Sequence, residues 1–156
     1  MHWRTELAHP PALRKQIEKK NNMEAVQNVY EFLEEAKTYF LATVENDQPR
    51  VRIYGTNLLF EGNLYIMAFR RTNAVDQLKA NSKAEIATFC GGKQLRLTCR
   101  LVEDDRQAVR DAMAEKMPSL KAVAGEKYAN FVMMKVTEAT AVISKGLSEE
   151  GEVCRF

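Results

Sequence analysis

The sequence predicts a mainly β fold with α: an antiparallel β-barrel carrying short flanking helices. Three features lead there. Short apolar, β-branched and aromatic segments follow one another closely, separated by turn residues such as Asn46-Asp47 and Glu61-Gly62-Asn63. From Gln94 to Val102, Leu95, Leu97, Cys99 and Leu101 alternate with Arg96, Thr98 and Arg100, the pattern of a half-buried strand. Helical spacing is confined to a few stretches rather than placed after every strand, which argues against a βαβ sheet.

Length and composition bound the function. The chain has 156 residues, enough for one domain with a sizeable core. Hydrophobic residues make up 46% and charged residues 28%, a soluble, globular balance. The net charge of +2, from 23 basic and 21 acidic side chains, gives no general case for nucleic-acid binding. No apolar run approaches the roughly 18 residues that span a bilayer, and the N-terminus lacks the apolar core of a secretory signal. Cys90, Cys99 and Cys154 are widely spaced and form no CxxC pair, so reduced thiols in a cytoplasmic protein are expected. The histidines are His2 and His9 only. Ser-His-Asp and Cys-His hydrolases, His-ligated zinc and proximal-His haem thereby lose their usual donor, and no metal site is expected. Met113, Met117, Met133 and Met134 read as core or interface filler rather than soft-metal ligands.

Taken in order, residues 1–22 are expected to form a solvated, flexible, partly helical extension, and residues 23–156 a single domain. Pro10-Pro11 breaks any earlier helix, and Arg14, Lys15, Lys19 and Lys20 make the segment basic. From Met23 to about Lys37, Val26, Val29, Tyr30, Leu33 and Ala36 share one helical face. Tyr39 to Val44 is a strand, followed by the turn Asn46-Asp-Gln-Pro49 and a second strand from about Arg50 to Phe60. Leu64 to Ala68 is the next, then a short helix ending near Asn81. Ala84 to Cys90 and Gln94 to Val102 form a hairpin around Gly91-Gly92. Asp104-Asp105 is expected to cap a helix with Ala108, Val109, Ala112 and Met113 inward, stopped by Pro118. Ser119 to Gly125 is a loop, Phe131 to Val136 and Ala139 to Ser144 are the last strands, and a polar tail closes the chain.

The stretch Leu64 to Leu78 carries the chemistry. Its strand turns polar and basic at Arg70, Arg71, Thr72 and Asn73, before Ala74, Val75 and Leu78 resume at helical spacing. A helix start offers unpaired N–H groups and a positive dipole end, and arginines add forked donors. That combination suits a phosphate, with Thr72 or Asn73 as N-cap. An ordinary capped corner with two solvated arginines fits the same residues.

Taken together, Phe40-Leu-Ala-Thr-Val44, Gln48-Pro-Arg-Val-Arg-Ile53, Leu64-Tyr-Ile-Met67, Arg70-Arg-Thr-Asn73, Val75-Asp-Gln-Leu78 and Asn81-Ser-Lys83 resemble the pyridoxamine 5'-phosphate oxidase-like family. The resemblance covers about residues 23–145. It implies an FMN-binding split barrel of Greek-key type and a homodimer with the cofactor site at the subunit interface. Carried over, Arg50, Arg52, Ile53 and Tyr54 would lie along the isoalloxazine ring, with Arg52 reaching its carbonyl side or the phosphate. Met67, Ala68 and Phe69 would pass near the ring and ribityl chain. Arg70, Arg71, Thr72 and Asn73 would bind the phosphate, and Gln94 would contact the flavin, often from the other subunit. Arg50 and Arg52 also read as exposed members of an alternating strand, and Gln94 as an edge polar residue. Two positions depart from the family. Ala74 stands where many members have a phosphate-binding lysine, a loss of roughly 1.5–3 kcal/mol, or about ten- to a hundredfold in affinity. The C-terminus, Gly151 to Phe156, lacks the Arg-x-His segment that handles pyridoxal phosphate.

The implied function is therefore an FMN-dependent oxidoreductase acting on an unidentified small molecule other than pyridoxamine phosphate. The alternative is a non-catalytic flavin binder, an electron carrier or stress-linked reservoir. A haem-binding barrel is disfavoured by the missing histidine. No catalytic acid or base stands out; Tyr54 and Tyr65 qualify by position only. Partners other than a second copy, a small-molecule substrate or a redox partner are not implied.

Overall fold

A computed structural model describes residues 9–156 of the chain. Helix α1 (Pro11–Ala36) opens it with Pro11 at the first helical position, where a missing N–H costs nothing. It starts well before Met23, so the basic segment and the patterned face are one helix. Every residue of α1 ahead of Ala25 is exposed, whereas Ala25, Val26, Val29 and Leu33 are buried. Lys37 ends the helix in the left-handed region, its N–H bonded to Leu33 O at 2.9 Å.

Eight strands form one antiparallel sheet: β1 (Tyr39–Glu45), β2 (Gln48–Tyr54), β3 (Leu58–Phe60), β4 (Asn63–Phe69), β5 (Lys83–Cys90), β6 (Lys93–Glu103), β7 (Phe131–Lys145) and β8 (Glu152–Arg155). Helix α2 (Asn73–Ala80) follows β4, and α3 (Gln107–Lys116) follows β6. The strand order is β2-β1-β5-β6-β7-β4-β3, with β8 pairing β7. The sheet curls around a core that includes Leu41, Leu64, Ile66, Ile86, Leu95, Leu97 and Leu101, with α1 and α2 contributing Val29, Leu33, Val75 and Leu78. It does not close, because among the described residues β2 pairs only β1 and β3 pairs only β4. A second cluster lies under α3, where Val109 and Met113 pack on Tyr65, Met67, Phe131 and Met133.

Several elements differ from the sequence expectation. The strand from Arg50 to Phe60 is two strands at opposite ends of the sheet. Residues 55–57 carry the chain between them, and Gly55 passes so close to the Lys37 carbonyl that a Cβ would sit 3.0 Å from its oxygen. Tyr39 donates its hydroxyl to Thr56 O at 2.6 Å, and Thr56 Oγ1 donates to Met67 O at 3.1 Å. These bonds tie the crossing segment to both β1 and β4. Conversely, the last two expected strands are one, β7, bent at Glu138, whose φ is 48°, where the β6–β7 register shifts. The polar tail contains β8, whose Cys154 lies opposite Ala141. Asp104 does not cap α3; the N-cap is Arg106, without a side-chain cap bond, and Ala108 is exposed.

The hairpin at Gly91-Gly92 is as expected, both glycines having positive φ. Met113, Met133 and Met134 are core residues and Met117 packs beside the second cluster. The cysteines are free, and burial pushes the Cys99 thiol up to about 12. Among the described residues no group of three or more His, Cys, Asp or Glu could hold a metal. No helix among them is long and apolar enough to cross a membrane. His9 is exposed, and His2 lies outside the described residues.

Candidate functional site

The corner between β4 and α2 begins with a division of labour between its two arginines. Arg70 turns toward the β6–β7 end of the molecule: Nε donates to Ala129 O at 3.0 Å, and both Nη atoms meet Glu103 Oε1 at 3.3 Å. Its backbone N–H bonds Asn130 O at 2.8 Å. Arg71 is exposed and has no ion pair among the described residues.

Thr72 is the N-cap of α2, in extended conformation, yet its hydroxyl does not cap the helix. It donates back to Phe69 O at 2.7 Å. The Asn73 side chain is exposed at the first helical position. No side-chain cap therefore meets the first turn. The Val75 and Asp76 N–H groups meet Thr72 O, and Asp76 adds a carboxylate to that turn. This leaves the Asn73 and Ala74 N–H groups at the positive end of α2 to meet an anion. Ala74, in place of the lysine, is 3% exposed and packed inward. Among the described residues, Arg71 is then a cation at this corner with no ion pair.

Beneath the corner lies a polar network that the sequence reading missed. Arg52 Nη1 donates to Thr43 Oγ1 at 2.6 Å and Nη2 to Gln77 Oε1 at 2.7 Å. The Thr43 hydroxyl in turn donates to Gln77 Oε1 at 2.6 Å. Thr43 and Gln77 are buried. These partners and the Arg50 carbonyl at 3.5 Å are all neutral, and among the described residues no carboxylate forms an ion pair with Arg52, so it carries an uncompensated charge beside Gln77 of α2. A signal for this network was present. Thr43 is polar where Tyr39 and Leu41 are apolar on the same face of β1, and Gln77 interrupts the inward stripe Ala74, Val75, Leu78.

Tyr54 completes the group. Its ring meets Tyr39 edge-on with centroids 6.3 Å apart. Burial pushes its phenol above the ordinary value; nearby Arg52 and the Thr72 side chain offset part of that rise. At neutral pH it is protonated and can donate a hydrogen bond.

The other sequence-predicted positions divide. Arg50 is exposed and pairs with Glu45 at 2.7 Å. Ile53 is 66% exposed on the outer face of β2, directly opposite Phe40 at 53%. Because β2 is an edge strand, its backbone groups facing away from β1 have no ladder partner. Met67 and Ala68 are buried, Met67 toward α3 and Ala68 in the barrel core, while Phe69 is exposed. Gln94 is half-buried at the start of β6, between Phe89 and Ser144. The fold thus brings Tyr54, Arg71, Thr72 and Asn73 to the start of α2, sets Arg52 against Gln77 one turn further on, and sends Arg70 elsewhere.

An open antiparallel barrel with a cationic strand-to-helix corner defines the class: the split-barrel fold of pyridoxamine 5'-phosphate oxidase-like proteins. Neither a family model nor a curated protein matches the sequence, but solved structures do. A NimC/NimA family protein from Clostridium acetobutylicum is 30% identical with a TM-score of 0.82, over 88% of this chain and 96% of that one. The chain belongs to the NimC/NimA family. An FAD-binding protein from Mesorhizobium loti shares the fold at 16% identity and a TM-score of 0.57, covering 74% of this chain and 91% of that one. So does the haem storage protein HutZ of Vibrio cholerae, at 18% identity and a TM-score of 0.57, over 78% and 96% of the two chains.

Proposed function

We propose that this protein binds FMN and acts as a flavin-dependent oxidoreductase on a small molecule other than pyridoxamine phosphate, working as a C2 homodimer in the reducing cytoplasm. The observation that carries the reading is the start of α2. A helix terminus without a side-chain cap lies beside an arginine that has no ion pair among the described residues, with a second guanidinium below that meets no carboxylate among them. These residues fit a phosphate monoester.

In this reading Arg71 and the first N–H groups of α2 hold the phosphate, and Arg52 supplies charge through the helix turn. The free edge of β2, from Arg50 to Tyr54, offers backbone donors and acceptors to a planar heterocycle, and Tyr54 offers a hydroxyl. Bound flavin would supply the electron transfer, while the chain binds it, orients it and limits access to it. The homodimer is supported by the outer sheet face. Phe40, Val51, Ile53 and Phe89 are each more than half exposed, and the register makes them neighbours: Phe40 opposite Ile53 and Ala87, Val51 opposite Ala42. A contiguous apolar face of this kind marks an interface, and it abuts the strand that carries Tyr54. Gln94 lies on this same outer face and is proposed to reach the site across the interface.

The test is a flavin titration of the purified chain with absorbance and fluorescence readout, beside a parallel haem titration. Saturable FMN binding near one per chain is expected, followed by turnover with a nicotinamide donor and an electron acceptor. Binding without turnover would make the protein a carrier. A chain that ignores FMN and takes haem would overturn the proposal.

A further inference from the structure

The basic run at Arg14, Lys15, Lys19 and Lys20 plays no part in the α2 corner, yet two of its members face a cavity. The side of α1 turned to the barrel carries Lys15, Glu18, Lys19, Asn22, Met23 and Val26, spaced by three and four residues as one helical face requires. Opposite lie the β3–β4 turn at 61–64, the bend of β7 at 135–138, and Phe156. Between the two walls is a cleft of about 790 Å³. That is within the range of about 300–1,000 Å³ typical of small-molecule sites.

Its chemistry is two-sided. Met23, Val26, Leu64, Val136 and Phe156 give an apolar surface. The rim carries both signs of charge, but they are not equally available. Glu61 is paired with Arg106 at 2.9 Å and Glu138 with Arg100 at 2.7 Å. Lys15, Lys19 and Lys135 form no ion pair among the described residues, and Glu18 is the one lining side-chain carboxylate without one among them. The carbonyl of Phe156 is engaged by the Ala139 N–H at 2.7 Å. The rim therefore carries three ammonium groups without an ion pair among the described residues, two on α1 and one on β7, against the one unpaired side-chain carboxylate of Glu18, above an apolar floor.

We propose that this cleft is a second binding site, for a small amphipathic organic anion: an aromatic or short aliphatic body carrying a sulfonate, carboxylate or phosphate. The body lies against Met23 and Phe156, and the head group sits between Lys19 of α1 and Lys135 of β7. The cleft shares no residue with the α2 corner, so the site stands whether or not the corner holds a flavin.

The probe is 1-anilinonaphthalene-8-sulfonate, titrated into the full chain at low ionic strength and followed by fluorescence. Saturable binding at one site per chain is expected. Charge reversal in the Lys19→Glu/Lys135→Glu double variant should weaken it roughly five- to tenfold, as expected for two exposed ionic contacts turned repulsive. Met23→Glu, at an exposed position, should weaken it too. Leu147→Glu, at an exposed position outside the cleft, should leave it unchanged. Wild-type affinity in the double variant or in Met23→Glu would overturn the proposal. So would loss of binding in Leu147→Glu, which would put the dye outside the cleft.

Discussion

Replacing Arg71 and Arg70 separately by alanine distinguishes the role of each. Arg71 is exposed and unpaired among the described residues, so truncating it disturbs nothing in the free protein. If it donates to a phosphate, its loss removes a charge-assisted bond of about 1.5–3 kcal/mol. Partial solvent exposure of the corner favours the lower half of that range, roughly ten- to fortyfold in affinity. Arg70 is already committed to Ala129 O and Glu103. Its Glu103 pair is partly exposed on both sides, worth about 0–1 kcal/mol, and its bond to the Ala129 carbonyl about 1 kcal/mol. Arg70→Ala should thus cost about 1–2 kcal/mol of stability and change FMN affinity less than about threefold. Titration at two ionic strengths sharpens the comparison. Wild-type affinity should fall with salt, and Arg71→Ala should flatten that dependence. A larger affinity loss in Arg70→Ala than in Arg71→Ala would refute the assignment of the phosphate to the α2 side of the corner.

Three further outcomes follow from the geometry. Lys116 donates to Asn57 O at 2.6 Å and Asn57 Oδ1 at 3.0 Å, pairs with Glu34, and sits 4.9 Å from the Tyr30 ring centroid. Lys116→Met leaves the buried Asn57 acceptors unmet and should cost about 2–4 kcal/mol, read as a urea midpoint shift; a change under about 0.5 kcal/mol would show that the staple is idle. Ile53→Asp places a charge at the centre of the exposed sheet face and should yield a monomer with weakened flavin binding by sedimentation and titration, whereas an intact dimer would move the interface elsewhere. The Asp104 carboxyl is held well below the usual carboxylate range, chiefly by Arg106 and also by the Tyr65 hydroxyl, against the opposing effect of burial. A folded-state value below the unfolded one gives stability that is present above the unfolded value, about 3.9, and is lost as pH falls toward the folded value. Asp104→Asn should therefore be less stable at neutral pH and show a shallower stability loss below about pH 4; equal acid profiles would contradict the linkage.

The sequence was most legible where one period ruled. The alternation from Leu95 to Leu101 and the Gly91-Gly92 turn specify β6 and its hairpin almost residue by residue, because in that stretch each inward side chain is apolar and each outward one polar. It was least legible where long-range pairing decides. Nothing local in 145–156 distinguishes a polar tail from β8, whose pairing depends on the free edge of β7. The break at 55–57 is likewise set by which distant strand each half joins. In the candidate site, Arg70 to Asn73 were visible as a group, but their directions were not. Arg70 is drawn away by Glu103 and Ala129, which are distant in sequence. Thr43 and Gln77 were hidden because a polar residue on an apolar face gains meaning only when its partner is known.

The strand order has a consequence for how the chain can assemble. Among the described residues, strand β7 is the sole ladder link between the β2-β1-β5-β6 group and the β4-β3 pair. A nascent chain that has not yet made Phe131–Lys145 can form the first group by pairing, but β3 and β4 remain an isolated two-stranded ribbon, which is marginal in water. The corner at Arg71 and Thr72 follows β4 directly, so its two flanks are held in one framework only after synthesis has passed β7. In this protein the binding corner is encoded early and completed late, by a strand that comes about sixty residues after it.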